Sequence, residues 1–184
     1  MSLQHILLGM LNQPASGYDL KRDFEQQLRH YWSADLAQIY PTLKRLESKG
    51  LLTSYRKPSS QGPPRKIYSR TPSGDQALQQ WLTDGPEVHT DRLSWLAQVG
   101  FLNALPFDQQ QTFLLELRDE FIQHSEELAT IEHHWQAQDP QFPDRLDAES
   151  FFSHCTLRLG LMKYATIVEW CDQCLERLNQ FQDH

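Results

Sequence analysis

The stretch from Ser33 to Gly50, SADLAQIYPTLKRLESKG, most restricts what this chain can become, because it spells a helix with one face to bury and one to offer. Leu36, Ile39, Leu43 and Leu46 recur at steps of three and four, which sets them on one stripe of a 3.6-residue helix. Ser33 is the expected N-cap, its hydroxyl taking a free N–H of the first turn, and Gly50 supplies the left-handed residue that ends the helix. Ala34, Ala37, Gln38, Pro41, Lys44, Arg45 and Ser48 fall on the opposite face. Small residues permit close approach, an amide can read a base edge, and two cations lie on one side, the combination a helix needs to enter a DNA major groove. Taken alone, the pattern favours the blander reading, an amphipathic surface helix with a solvated basic end.

Its neighbours decide between the two. A second helical pattern, Ser16 to Arg29, precedes it; Leu51 to Arg56, a Pro/Gly/Ser tract and Lys66 to Arg70 follow. Helix, turn, helix and a hairpin with a basic tip is the order of a winged helix-turn-helix. Leu3, Ile6, Leu7 and Met10 make the first helix a one-sided brace. Ser16 is the expected cap of the second, whose N-terminal N–H groups and Tyr18 hydroxyl suit phosphate. A core ring with its hydroxyl at the rim is the alternative for Tyr18. Tyr40, on the flank of the buried stripe, is placed to pack its ring and hold a phosphate with its hydroxyl. Arg56, Lys57, Arg65 and Lys66 cluster at the wing, where Pro58, Gly62, Pro63 and Pro64 stop regular structure. Lys66 is expected there as a lone ammonium on phosphate; a solvated hairpin loop is the alternative for the whole tip. Thr71-Pro72 caps a fourth helix with an apolar face of Ala77, Leu78, Trp81 and Leu82.

The residues themselves resemble a known family. Gly17-Tyr18-Asp19-Leu20, Trp32, the run Ile39-Tyr40-Pro41-Thr42-Leu43-Lys44-Arg45-Leu46-Glu47, Gly50-Leu51-Leu52, Gly62 with Arg65-Lys66 and Tyr68, and Thr71-Pro72-Ser73-Gly74 are similar, in order, to the PadR family of transcriptional regulators. The C-terminal half is similar, by pattern more than motif, to the long helical dimerisation domain of the larger members, which include a virulence-gene activator. The resemblance implies a sequence-specific regulator, a repressor in expectation, that binds an inverted-repeat operator as a homodimer. The DNA-contacting set expected is Tyr18, Ser33, Gln38, Tyr40, Thr42, Lys44, Arg45, Arg65 and Lys66. Pro41, eight positions past the expected cap, removes a backbone donor and crowds the Ala37 carbonyl, so the helix either begins later or kinks. Family members often carry proline here, and the kink is expected. They also more often have arginine directly after the wing glycine; Pro63 takes that place and leaves mainly backbone contact.

The net charge of −7 is an average over unlike halves. Residues 1–85 hold 11 Lys/Arg against 7 Asp/Glu, and residues 86–184 hold 6 against 17, which gives +4 and −11. A basic module joined to an acidic one makes sense if only the first touches phosphate. In the acidic half, Leu93 to Leu105 is apolar nearly all round and is expected to be buried on several sides between the two domains. Asp108 and Gln111 read as a capping box for a long helix ending before Pro140. Leu114, Leu117, Phe121, His124, Leu128, Ile131 and Trp135 form its heptad seam, which needs a partner helix. The last helix carries Leu161, Tyr164, Val168, Cys171, Leu175 and Leu178, the expected dimerisation residues, on one seam, and Phe152, Cys155, Leu159 and Met162 on another. Two apolar faces are more than one partner covers, and the second is most economically covered by another subunit.

Other chemistries find little support. Cys171-x-x-Cys174 with His133, His134, His154 and Cys155 offers zinc ligands, but both cysteines sit one turn apart in an apolar helix without a second close pair, so Cys171 reads as core. His124 reads as a packing residue of the seam. With no phosphate loop and no catalytic constellation, no enzyme, cofactor or metal is expected. Three cysteines and the lack of a signal peptide or membrane span fit the cytoplasm. The fold expected is mainly α: a winged helix-turn-helix with a small β-hairpin wing over 1–85, and an antiparallel long-helix dimerisation domain over 86–184. Two rival readings are a winged-helix module that binds protein only, and a dimer with an effector held in an interdomain hydrophobic pocket walled by Trp81, Trp95 and Trp135.

Overall fold

The computed structural model describes residues 3–28, 31–32, 34–58, 64–88, 91–139 and 141–182. The expectations for Arg29, Ser33, Gly62, Pro63 and Pro140 lie outside these residues. The chain divides into two compact units, Met1–His89 and Thr90–His184.

In the first unit, α1 (Leu3–Met10), α2 (Gly17–Gln27), α3 (Leu36–Ser48) and α4 (Pro72–Thr83) surround one core. Three short strands, β1 (Ala15–Ser16), β2 (Leu52–Lys57) and β3 (Arg65–Arg70), complete it in the order β1-β3-β2. Both pairings are antiparallel; β2 and β3 run in register from Leu52 opposite Arg70 to Lys57 opposite Arg65. Leu7 and Leu8 of α1, Leu20 and Phe24 of α2, and Ile39, Leu43 and Leu46 of α3 are almost wholly buried. Burying each such side chain contributes about 1.5–3 kcal/mol relative to leaving it exposed. The α3 stripe is therefore the face that holds this helix to the unit.

Local chemistry sets the ends of these helices. The Ser16 hydroxyl caps α2 and Asp19 returns the bond, since the Asp19 N–H donates to Ser16 Oγ and the Ser16 N–H to Asp19 Oδ2. At α3 the cap is Asp35: its carboxylate accepts the Gln38 N–H at 2.9 Å while the Gln38 amide oxygen accepts the Asp35 N–H at 3.3 Å. The helix thus begins later than a Ser33 cap requires, yet Pro41 still falls past the first turn, at the sixth helical position of a helix that continues to Ser48. Gly50, at φ 71°, closes α3 in a Schellman turn, with Leu51 N–H donating to Leu46 C=O and Gly50 N–H to Glu47 C=O.

The second unit is a helical hairpin, α6 (Phe107–Gln138) and α7 (Ala148–Gln182), preceded by α5 (Ser94–Val99) and a 3-10 turn, Leu102–Ala104. Early α6 meets late α7: Gln111 bonds Asn179, Arg118 bonds Asp172, and Glu132 lies beside Arg158 and His154. The long helices are antiparallel. The α6 cap differs from expectation, because Pro106 occupies that place with no side-chain cap and Asp108 falls inside the first turn. Proline restricts Leu105 to extended backbone and is itself extended, so the helix starts directly behind it. The apolar run before it is also less buried than expected. Six residues of α5 are under two turns, enough to turn Trp95 onto Phe121 and Trp170, at ring-centroid distances of 5.3 and 6.0 Å, while Leu96, Phe101 and Leu105 stay exposed. Among the described residues, no helix is long and apolar enough to cross a membrane.

Candidate nucleic-acid interface

Burial of Ile39, Leu43 and Leu46 leaves Ala37, Gln38, Tyr40, Pro41, Lys44, Arg45 and Ser48 on the solvent side of α3. The face carries no large aliphatic side chain and two cations. Beside it, Tyr18 stands 62% exposed at the start of α2. The Tyr40 ring lies against the α2 backbone: a Cβ on Gly17 would come within 2.5 Å of it. That contact gives Gly17 its reason and fixes Tyr40 while leaving it 44% exposed. Arg56, Lys57 and Arg65 project from the hairpin, all exposed. Arg65 also acts on α2, where Asp19 is held below the ordinary carboxylate range, first by the Ser16 hydroxyl and further by Arg22 and Arg65.

Three of the expected contact residues stand differently. Thr42 is turned into the unit at 6% exposure and does not reach the outer face. It lies three residues after Ile39 and four before Leu46, within the buried sector. Lys66 is not a lone ammonium. Its Nζ lies 2.7 Å from Glu47 Oε2 and 5.0 Å from the centroid of the Tyr68 ring. The hydrogen bond to Glu47 raises the affinity of Lys66 for its proton, and Lys66 with the Ser54 hydroxyl holds Glu47 below the ordinary carboxylate range. Gln38 is exposed, but its amide oxygen serves the Asp35 cap. The D-x-x-Q spacing signals that role in the sequence; Glu47 has no comparable signal, since its partners lie seven and nineteen residues away.

In the second unit, α7 presents its two seams unequally. Tyr164, Cys171 and Leu175 are buried at 9% exposure or less within a single chain, on the seam where Tyr164 packs with Phe121, Leu128 and Leu157. They hold α7 to α6 and are not available to a second subunit. Burial pushes the Cys171 thiol up to about 11, with Cys174 and Asp172 adding to it. The other seam is open: Phe152, Leu159 and Met162 are 68, 67 and 60% exposed, and Cys155 is exposed among them. Within the second unit, Trp95 and Trp135 do not meet. Trp81 stacks on His5 in the first unit, Trp95 packs with Phe121 and Trp170, and Trp135 meets Phe142 and His154. Fourteen α6 residues, about 21 Å along the helix, separate Phe121 from Trp135.

Comparison with known proteins gives these units relatives. A model of the transcriptional regulator PadR-like family matches residues 6–80, and one of the virulence activator alpha C-terminal region matches residues 92–179. The negative transcriptional regulator PadR of Bacillus subtilis is 38% identical over 81 residues, a match that spans 44% of each chain. A probable transcriptional regulator of Mycobacterium tuberculosis is 26% identical over 98% of this chain and 99% of its own. B. subtilis PadR in complex with operator DNA has the same fold, with TM-score 0.84 at 24% identity over 97% of this chain and 99% of that one. The Vibrio cholerae virulence activator AphA superposes with TM-score 0.75 at 27% identity over 98% and 99%. With one family model on each unit and relatives aligned along the whole length, the chain belongs to the PadR-like family of transcriptional regulators.

Proposed function

We propose that the chain is a non-catalytic, cytoplasmic repressor that binds an inverted-repeat DNA operator as a homodimer, with α3 in the major groove and the wing on the backbone. The observation that carries the reading is the outer face of α3, where Gln38, Lys44 and Arg45 stand exposed among small residues, opposite a buried stripe. Residues 1–85 are the DNA-binding module and residues 86–184 the dimerisation module. Operator DNA in the structure of B. subtilis PadR supports the partner, and the negative regulation in that protein's name supports the sign. Tyr18, Tyr40 and Arg65 hold phosphate. The uncovered seam of Phe152, Leu159 and Met162 supports the second copy, because monomers seldom expose large contiguous apolar patches and a two-fold axis would cover both copies at once.

The test begins with selection of a duplex from a random pool by the purified protein, followed by titration at several salt concentrations. Three phosphate contacts per subunit, by Lys44, Arg45 and Arg65, give a slope of log affinity on log salt of about −5 for a dimer. Half-sites spaced by about one helical turn are expected. A flat salt response, with no sequence enriched, would sink the proposal.

A further inference from the structure

Glu47 is a carboxylate at the edge of a surface we assign to phosphate, where bare electrostatics disfavours it. It leaves the last turn of α3 and reaches the hairpin with both oxygens: Oε1 accepts the Ser54 hydroxyl at 2.5 Å and Oε2 holds the Lys66 ammonium at 2.7 Å. Ser54 lies opposite Tyr68 and Arg56 opposite Lys66. Alternation along a strand places these four on one face of the hairpin, the face from which Tyr68 enters the core. Arg56 and Lys66 are like charges directly across the ladder, a destabilising pair. Glu47 neutralises one of them. The side chains of Glu47 and Lys66 are 30 and 44% exposed, so the pair adds little to overall stability. Its geometric effect is larger, since one side chain spans the end of α3, β2 and β3.

We infer that Glu47 is a positioning residue for duplex recognition: it fixes the wing against the end of α3, so that Arg65 meets phosphate at a set distance from the side chains in the groove. The inference rests on the proposed function. Charge and position predict opposite outcomes when Glu47 is removed. As a mere repelling charge, its loss strengthens binding to every duplex alike. As a positioning residue, its loss weakens the selected operator while leaving a scrambled duplex bound as well or better.

The experiment uses full-length protein, with Glu47→Ala, Glu47→Gln and Lys66→Met titrated against both duplexes at two salt concentrations. Glu47→Ala is expected to lower the operator-to-scrambled affinity ratio about tenfold, a usual size for coupled neighbours. Glu47→Gln keeps an acceptor for Ser54 and recovers part of the ratio. Lys66→Met lowers the ratio by itself and adds nothing in the Glu47→Ala background. Equal tightening on both duplexes, or an unchanged ratio, overturns the inference while the wild-type affinity leaves the proposed function standing. Wild-type protein that binds no duplex removes that function and the inference with it. Should Glu47→Ala fail to fold, Glu47→Gln and Lys66→Met decide the question by the same ratio.

Discussion

Gly74, the last residue of the Thr71-Pro72-Ser73-Gly74 motif, sits where α4 begins and where α3 hands over to the wing. A Cβ at Gly74 would lie 2.2 Å from the Leu51 carbonyl oxygen and 2.8 Å from the Arg70 side chain. The Arg70 atom is Cγ, near the backbone, with its guanidinium held by Asp75 and the Leu8 carbonyl; the Leu51 carbonyl is backbone and cannot swing aside. It also accepts the Thr71 N–H at 3.1 Å, so moving it strains a bond at the entry to α4. Overpacking costs roughly 1–3 kcal/mol, and a weakened buried hydrogen bond adds about 1 more. Gly74→Ala should therefore destabilise the first unit by about 3 kcal/mol. For a unit of this size that corresponds to a fall in Tm on the order of 12–24 °C. Gly9, inside α1 with nothing within 4 Å of its added Cβ, is the control. Gly9→Ala should stabilise by about 0.5–1 kcal/mol through reduced chain entropy. Scanning calorimetry resolves the two units if they melt separately and reads both variants on the same transition. The steric reasoning is refuted if Gly74→Ala melts within a degree or two of wild type, or if both alanines shift the transition the same way.

Other consequences can be measured as directly. Burial holds His5 below its ordinary 6.5 against the opposing pull of Glu87 and Asp84, so the unfolded chain takes up the proton first. Stability of the first unit should fall as pH drops below about 6.5, and His5→Phe, which retains a ring on Trp81, should flatten that dependence. Glu47 and Asp19 have lowered values in the folded state, so their contribution is complete above the ordinary carboxylate range and is lost as acid protonates them; Glu47→Gln should remove part of the acid-side slope. Gln38→Glu keeps an acceptor for the Asp35 N–H and should melt no lower than wild type, yet it should bind operator more weakly, which separates capping from groove contact. Cys171 should resist thiol reagents until the protein unfolds, whereas labelling of Cys155 should slow as protein concentration rises and dimers form.

What the sequence revealed and what it hid divide along the range of the interactions. The α3 stripe, the Ser16 and Thr71 caps, the Gly50 stop and the α6 seam all depend on neighbours within about one helical turn or one heptad, and each was legible. Fold class was legible for the same reason. Thr42 lies in the family motif, but its spacing from Ile39 and Leu46 puts it inside the buried sector, so motif membership alone does not place it on the outer face. Ser33 and Asp35 both have cap-forming side chains, but only Asp35 stands three residues before a side chain that can return the bond. The role of Lys66 was not legible, because hairpin register and the end of α3 jointly bring Glu47 to it.

The seams of α7 show the limit most clearly. Both are apolar, and nothing local says which faces α6. The choice follows from antiparallel register: with Arg118 on Asp172 and Glu132 beside Arg158, the α6 seam from Leu114 to Ile131 comes to lie along Leu157, Tyr164, Cys171 and Leu175. Phe152, Leu159 and Met162 are then left outside by geometry rather than by polarity. If a second subunit covers that seam, Leu159→Glu should leave the hairpin folded and turn the dimer into monomers. Light scattering with far-UV circular dichroism measures both properties. An intact dimer in Leu159→Glu would move the interface elsewhere, with the exposed Leu96, Phe101 and Leu105 the next surface to change.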